Sequence, residues 1–213
     1  MEFIFDGPED AAAMVLLAHG AGAPMDMDFL NIVAQGLGAQ GLRVARFEFA
    51  YMAARRTGGP KRPPPKVELL CDEYIEVIQA LGSERPLVIG GKSMGGRVAS
   101  MVADDLWDGG RIAGVLCLGY PFHPQGKPEK LRTAHLAQTR APMLICQGTR
   151  DPFGTRAEVA DYTLSDRIRM HWLDDGDHDL VPRKRVTGQT QHALLTEVAE
   201  VSAGWIAGIL RGS

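Results

Sequence analysis

Short apolar runs alternate with amphipathic stretches along this 213-residue chain, and that alternation admits few architectures. A strand buried on both faces reads as a nearly unbroken Val, Ile and Leu run. A helix lying on a sheet shows apolar residues every three to four positions. Residues 14–18, 43–49, 86–90, 112–118, 142–146 and 167–173 fit the first pattern, and 2–5 fits a short edge strand. Between them, Phe29, Leu30, Val33 and Leu37 repeat at helical spacing, with Asp26 or Asp28 available as a cap. So do Val67, Leu70, Tyr74, Val77, Ile78 and Leu81, and later Leu194, Val198, Val201, Trp205 and Ile209. A further helix after Ser93 buries Val98, Met101 or Val102, and Leu106. The prediction is an α/β fold: a mostly parallel central sheet of about six to seven strands with helices on both faces. With 45% hydrophobic residues, 1–213 suffices for a single domain and is cramped for two.

Two segments fall outside the pattern. Residues 55–66 are rich in Arg, Lys and Pro and predict an irregular loop with polyproline character. Residues 119–141 have room for one short helical stretch near 129–138 and for no large cap, so the cleft above the sheet should be open, with minimal or no cap.

The sharpest chemical signal is Gly91-Lys92-Ser93-Met94-Gly95, directly after one strand and directly before a helix. A serine nucleophile must stand on a tight, strained turn so that its hydroxyl projects above the sheet edge. Gly91 and Gly95, lacking Cβ atoms, let strand and helix come close enough, and Gly96 relieves crowding one residue on. The alternative is a glycine-rich turn that holds a serine by chance.

If Ser93 is a nucleophile, an acid and then a histidine should come at later strand ends. Asp151 lies in Gly148-Thr149-Arg150-Asp151-Pro152, after the strand at 142–146. His178 lies in Asp174-Asp175-Gly176-Asp177-His178-Asp179, after the strand at 167–173. His178 would take the serine proton and return it to the leaving group, and Asp151 would fix the imidazole tautomer. Asp151 also reads as a turn residue before proline, Asp174, Asp175, Asp177 and Asp179 compete for an acidic role, and His178 also reads as a solvated histidine. His171, inside a strand, reads as structural, and His123, His135 and His192 lack the strand-end placement.

His19-Gly20-Ala21-Gly22-Ala23-Pro24 comes after the strand at 14–18. Backbone N–H groups of Ala21, or alternatively Gly22, and of Met94 are candidate donors to an oxyanion formed over Ser93. Such loops also cradle phosphates. His19 is expected to hold the loop rather than do chemistry. Met25, Tyr51, Tyr120, Phe122 and Phe153, with Gly22, are candidate substrate contacts, against the alternative of ordinary loop packing. Arg55, Arg56, Lys61, Arg62 and Lys66 could draw an anionic substrate or simply be solvated.

Composition excludes several classes. A net charge of -3 gives no general attraction to nucleic acid or anionic membrane. The acidic N-terminus lacks a signal peptide's basic region, and no unbroken apolar run reaches the roughly 20 residues of a membrane span. Cys71, Cys117 and Cys146 read as buried thiols of a reducing, cytoplasmic compartment, and their spacing suits no metal site. The expectation is catalysis without metal or organic cofactor.

The His19–Ala23 loop, the GKSMGGR segment around Ser93, Gly119-Tyr120-Pro121-Phe122-His123-Pro124, and the GTRDPFG and DGDHD loops together resemble small bacterial α/β-hydrolases of the KANL3/Tex30 group. Dienelactone hydrolase is a more distant likeness, and its cysteine nucleophile is replaced here by Ser93. The resemblance covers nearly the whole chain and implies hydrolase activity on a small-molecule ester or thioester. A non-catalytic interaction protein on the same fold stays open, as does a peptidase or acyltransferase with the same three residues.

Overall fold

The computed structural model describes residues 2–212. A seven-stranded sheet forms its centre, in the spatial order β1-β3-β2-β4-β5-β6-β7. The elements run β1 (Phe3–Asp6), β2 (Met14–Ala18), α1 (Asp28–Ala39), β3 (Arg43–Phe47), α2 (Ala50–Arg56), α3 (Val67–Leu81), β4 (Leu87–Lys92), α4 (Met94–Met101) and α5 (Ala103–Asp108). They continue with β5 (Gly114–Leu118), β6 (Met143–Gly148), α6 (Arg156–Val159), β7 (Ile168–Leu173), α7 (Lys184–Thr187) and α8 (Gln191–Arg211). Only β1 runs antiparallel to its neighbour, pairing with β3 at the edge as the sequence suggested. The sheet and its helices are therefore the predicted α/β architecture.

The two faces arise from strand alternation. Met14, Leu16 and Ala18 of β2 point into one core with α3, α4 and α5. Val15 and Leu17 point into the other, with α1 and α8. Helix α8 has 21 residues and a mean hydropathy of 1.4 over its most apolar stretch, the length and composition of a membrane-crossing helix. Here Leu194, Leu195, Val198, Ala199, Trp205 and Ile206 are buried in that second core, the ordinary reason for a helix so apolar on one side.

Local predictions failed in instructive places. Helix α1 begins after Met27 without a side-chain cap. Asp26, free of that duty, accepts two hydrogen bonds from Arg56 at 2.8 and 3.0 Å. The helix after Ser93 breaks at Val102, though Val98, Val102 and Leu106 are buried as expected, Val102 and not Met101 being the one of that pair that faces the core. The stretch 129–138 forms turns, with no helix. Only Thr133 and Leu136 of 131–138 are buried, too narrow an apolar stripe to hold an amphipathic helix against the core. Arg55 and Arg56 belong to the last turn of α2, so the irregular segment starts after them. Cys117 and Cys146 are buried, Cys146 with its thiol pushed up to about 12 by that burial, whereas Cys71 is half-buried.

Two buried polar side chains brace the sheet beneath its carboxyl edge. Tyr74 of α3 sets its hydroxyl 2.7 Å from the Gly90 carbonyl and 3.1 Å from that of Leu16, and accepts the Gly90 N–H at 3.0 Å. It therefore pins β2 to β4 just before β4 enters the Ser93 turn. Arg46 of β3 is paired with Asp6 at 2.8 Å, donates to the Met25 carbonyl at 2.9 Å and reaches the Asn31 side chain. Tyr74→Phe should leave a buried backbone group without its partner and lower unfolding free energy by about 1–3 kcal/mol, read from the urea midpoint. An unchanged midpoint would show that the hydroxyl braces nothing.

Candidate active site

Ser93 sits between the last residue of β4 and the first of α4, at φ 51° and ψ −112°. A non-glycine residue there carries strain of about 1–3 kcal/mol, so the surroundings must over-determine it. They do: the Ser93 N–H donates to the Leu118 carbonyl at 2.9 Å, and its carbonyl accepts from Arg97 N–H at 3.0 Å. The glycines make the turn possible. A Cβ on Gly91 would stand 2.4 Å from the Ala18 carbonyl oxygen, and one on Gly95 would stand 2.7 Å from the oxygens of both Ala18 and His19. Among the described residues, the other non-glycine positive φ values are Asp175 and Leu180, both in the histidine loop.

Three distant loops meet at this point. His178 Nε2 lies 2.8 Å from Ser93 Oγ, and His178 Nδ1 lies 2.8 Å from Asp151 Oδ2. Asp151 is 0% exposed, and its charge is held by hydrogen bonds from Phe153 N–H to Oδ1 at 2.8 Å and from Gln147 Nε2 to Oδ2 at 2.9 Å. With the carboxylate accepting at Nδ1, that nitrogen carries the proton and Nε2 is left to accept from the serine. The acid and histidine loops touch because residue 148 has no side chain: a Cβ there would lie 2.2 Å from the Gly176 carbonyl oxygen.

Most of the competing aspartates have other partners. Asp175 is bound by Arg183 and Arg150, and the Arg183 hydrogen bonds hold its carboxyl well below the usual range. Asp177 caps its own turn, accepting from Asp179 and Val181 N–H at 3.0 and 2.9 Å. Asp174 is exposed.

Two residues escaped the sequence reading. Gln147, wholly buried, accepts from Tyr120 N–H at 2.7 Å and donates to the Tyr120 carbonyl at 3.1 Å as well as to Asp151, joining the acid loop to the loop after β5. Lys92, beside the serine and only 3% exposed, donates to the His178 carbonyl at 2.6 Å and pairs with Asp179 at 3.2 Å. Burial pushes its ammonium below the ordinary lysine value, with Asp179 pulling the other way, and the charge also lies 5.1 Å from the Phe29 ring centroid. No sequence signal marks either residue, because their partners come from other loops.

On the opposite side of Ser93, His19 is buried and anchors its loop. Its Nδ1–H donates to the Gly20 carbonyl at 2.6 Å and its Nε2 accepts from Phe49 N–H at 3.2 Å. Burial lowers its pKa, which suits a neutral strut. The Tyr51 hydroxyl, pushed up to about 12 by burial, donates to the Ala21 carbonyl at 3.0 Å. Ala21 and Gly22 are exposed, and the Met94 N–H, first of its helix, has no intrahelical partner.

The aromatic candidates divide. The Phe153 ring lies 4.3 Å from that of His178, and Tyr51 stands at the rim. Tyr120 and Phe122 are 0% exposed with their tilted rings 4.8 Å apart, and Met25 is buried with its backbone bound to Glu48 and Arg46. These three support the site from below and are not walls of a cleft. His171 pairs with Glu197 at 2.8 Å, and His135, pushed down to about 4 by burial, bonds Ser100 at 2.9 Å. A concavity of about 1130 Å³ lies at the amino ends of the strands among Pro86, Ala113, Pro142 and Trp205, far from this chemistry. Among the described residues no cluster of His, Cys, Asp and Glu could hold a metal ion.

Comparison with known proteins gives a consistent picture. The sequence model of a family described as an alpha/beta hydrolase domain matches residues 11–207. Est1E from Butyrivibrio proteoclasticus with ferulic acid bound superposes with a TM-score of 0.71 at 15% identity, covering 97% of this chain and 95% of the other. Dienelactone hydrolase from Anabaena variabilis gives 0.70 at 21% identity, covering 97% and 90%. A serine hydrolase without lid from Xanthomonas campestris gives 0.65 at 17%, covering 98% and 87%. At these identities the structures share the fold.

Lys92→Met keeps the aliphatic stem and removes the donor to the histidine loop. Amide hydrogen exchange across residues 174–181 should rise about tenfold or more, the loss of one charged hydrogen bond, with β2 and β4 still protected. Equal protection in the variant would refute the tie.

Proposed function

The chain belongs to the alpha/beta hydrolase domain family, and on that premise we propose that it is a serine hydrolase of carboxylic esters or thioesters. The observation that carries the reading is the hydrogen-bonded line Ser93–His178–Asp151, with both contacts at 2.8 Å. In this reading His178 Nε2 takes the Ser93 proton as Oγ bonds the substrate carbonyl carbon, and the carbonyl π electrons move onto oxygen. The Ala21 and Met94 N–H groups receive that oxyanion, and the positive end of α4 adds to their field. Collapse expels the alcohol or thiol, which picks up the proton from the imidazolium. Water, deprotonated by the same imidazole, then releases the acid and restores Ser93. Asp151 keeps the imidazole in the tautomer this requires and stabilises its charged form. No step needs an organic cofactor or metal. The finer likeness of the motif set to the KANL3/Tex30 group belongs to the same reading.

A fluorophosphonate probe should label Ser93 in the intact protein and fail to label Ser93→Ala. Against a 4-nitrophenyl ester series, Ser93→Ala should lower kcat more than about 10⁴-fold, and Asp151→Asn by about 10³-fold or more, because an amide can donate to Nδ1 and favour the wrong tautomer. Folded protein that neither reacts with the probe nor turns over any ester would favour an interaction role for this fold. Turnover of amides, or transfer to an added alcohol in preference to water, would redirect the reading to a peptidase or acyltransferase.

A further inference from the structure

Beside the Ala21 loop lies a second cavity, of about 440 Å³, with Gly22, Glu48, Met52, Arg55, Arg56 and Lys61 in its lining. That volume suits a small ligand group. Its charges are unequal in status. Glu48 accepts two hydrogen bonds from Arg56 at 2.7 Å and one from Met25 N–H at 3.1 Å, and Arg56 also holds Asp26. The pairing raises the Arg56 pKa, and leaves neither Glu48 nor Arg56 free to meet a ligand.

Arg55 is different. Among the described residues it forms no ion pair, its NH2 donates to the Arg62 carbonyl, and its buried Nε has no partner. Its guanidinium carbon lies 5.5 Å from the centroid of the Tyr51 ring, which fixes its place. Lys61 is exposed on the same wall and forms no ion pair among the described residues. A half-buried guanidinium without a carboxylate partner among the described residues, with a second cation on the same cavity wall, is a charge arrangement an oxyanion would complete. Tyr51 links this cavity to the chemistry: its hydroxyl is 3.0 Å from the Ala21 carbonyl and 4.0 Å from Met94 Sδ, while its ring lies under Arg55.

We propose that this cavity is a subsite for a carboxylate or similar oxyanion carried by the substrate, bound by Arg55 and Lys61, so that the preferred esters or thioesters are anionic. The inference rests on the serine hydrolase reading for where the scissile carbonyl lies. Of the five cations that the sequence offered to an anionic substrate, it keeps Arg55 and Lys61 and excludes Arg56, whose charge is already spent on Glu48 and Asp26.

The test compares substrates matched in length. Mono-4-nitrophenyl adipate is set against 4-nitrophenyl hexanoate for an anion on the acyl side, and 4-acetoxybenzoate against its methyl ester for one on the alcohol side. The wild type should favour the anionic member of at least one pair in kcat/KM. The ratio should fall about tenfold in Arg55→Gln and further with Lys61→Gln added, and should shrink in 0.5 M salt as about 3–10 Å screening sets in. Arg111→Gln, a cation at the far end of the sheet, should leave the ratio alone. Esters cleaved with no preference in either pair, or a ratio indifferent to Arg55, would overturn the subsite while the hydrolase reading stands. A second readout needs no turnover: free adipate should bind Ser93→Ala protein and bind more weakly once Arg55→Gln is added. Arg55-dependent adipate binding in a protein that cleaves no ester would keep the subsite and sink the hydrolase reading, and absence of binding would count against the subsite.

Discussion

Parallel pairing from β3 through β7 is the constraint that governs the rest of the molecule. Strands running the same way deliver every carboxyl end to one edge, so loops separated by 27 to 85 positions in sequence leave the sheet side by side. The interior of such a sheet must be apolar on both faces, which is why β2 and β5 are buried along their whole length. Polar chemistry is thereby pushed to the rim. There the backbone can turn sharply only where side chains are missing, at Gly91, Gly95 and Gly148.

The rim is also where the chain gathers physical costs. Ser93, Asp175 and Leu180 take a left-handed backbone, and Lys92, Asp151 and Asp175 remove formal charges from water. A buried charge is tolerated when every group around it is satisfied. Asp151 meets that condition through Phe153, Gln147 and His178, Lys92 through the His178 carbonyl and Asp179, and Asp175 through two arginines. The contacts of Asp151 with His178, of Lys92 with the His178 carbonyl and Asp179, and of Arg150 with Asp175 cross between loops, so they hold the loops to one another as well as satisfying the charges. Arg183 and Arg150 on Asp175 stiffen the histidine loop from outside, and Lys92 holds it from beneath.

Much of this was legible in the sequence, for a specific reason. Fully buried strands are unmistakable as Val, Ile and Leu runs, and in a parallel sheet the loop after each strand must reach the same rim. Ser93, Asp151 and His178 could therefore be brought together on paper. The features that stayed hidden depend on pairs remote in sequence. Arg56 reads as a free cation until Glu48 and Asp26 are seen around it. Tyr120 and Phe122 read as cleft walls, yet hydrophobicity turned them inward onto each other. Lys92 carries no local mark, because nothing near it in sequence shows that Asp179 and a carbonyl wait for it. Helix α2 was obscured by the Pro- and Arg-rich run after it, and the turns at 129–138 mimicked a helix in spacing while lacking the apolar stripe to fasten one.

The turns of residues 119–141 carry one more implication. They form no helix that could close over Ser93, which is half-buried. On the acyl-enzyme reading, bulk water would reach the ester bond of the intermediate without waiting for any segment to swing aside. Competing acceptors would have to be bound at the rim to outpace it. On that reading, discrimination between substrates falls to the surfaces flanking the serine instead of to a moving cover.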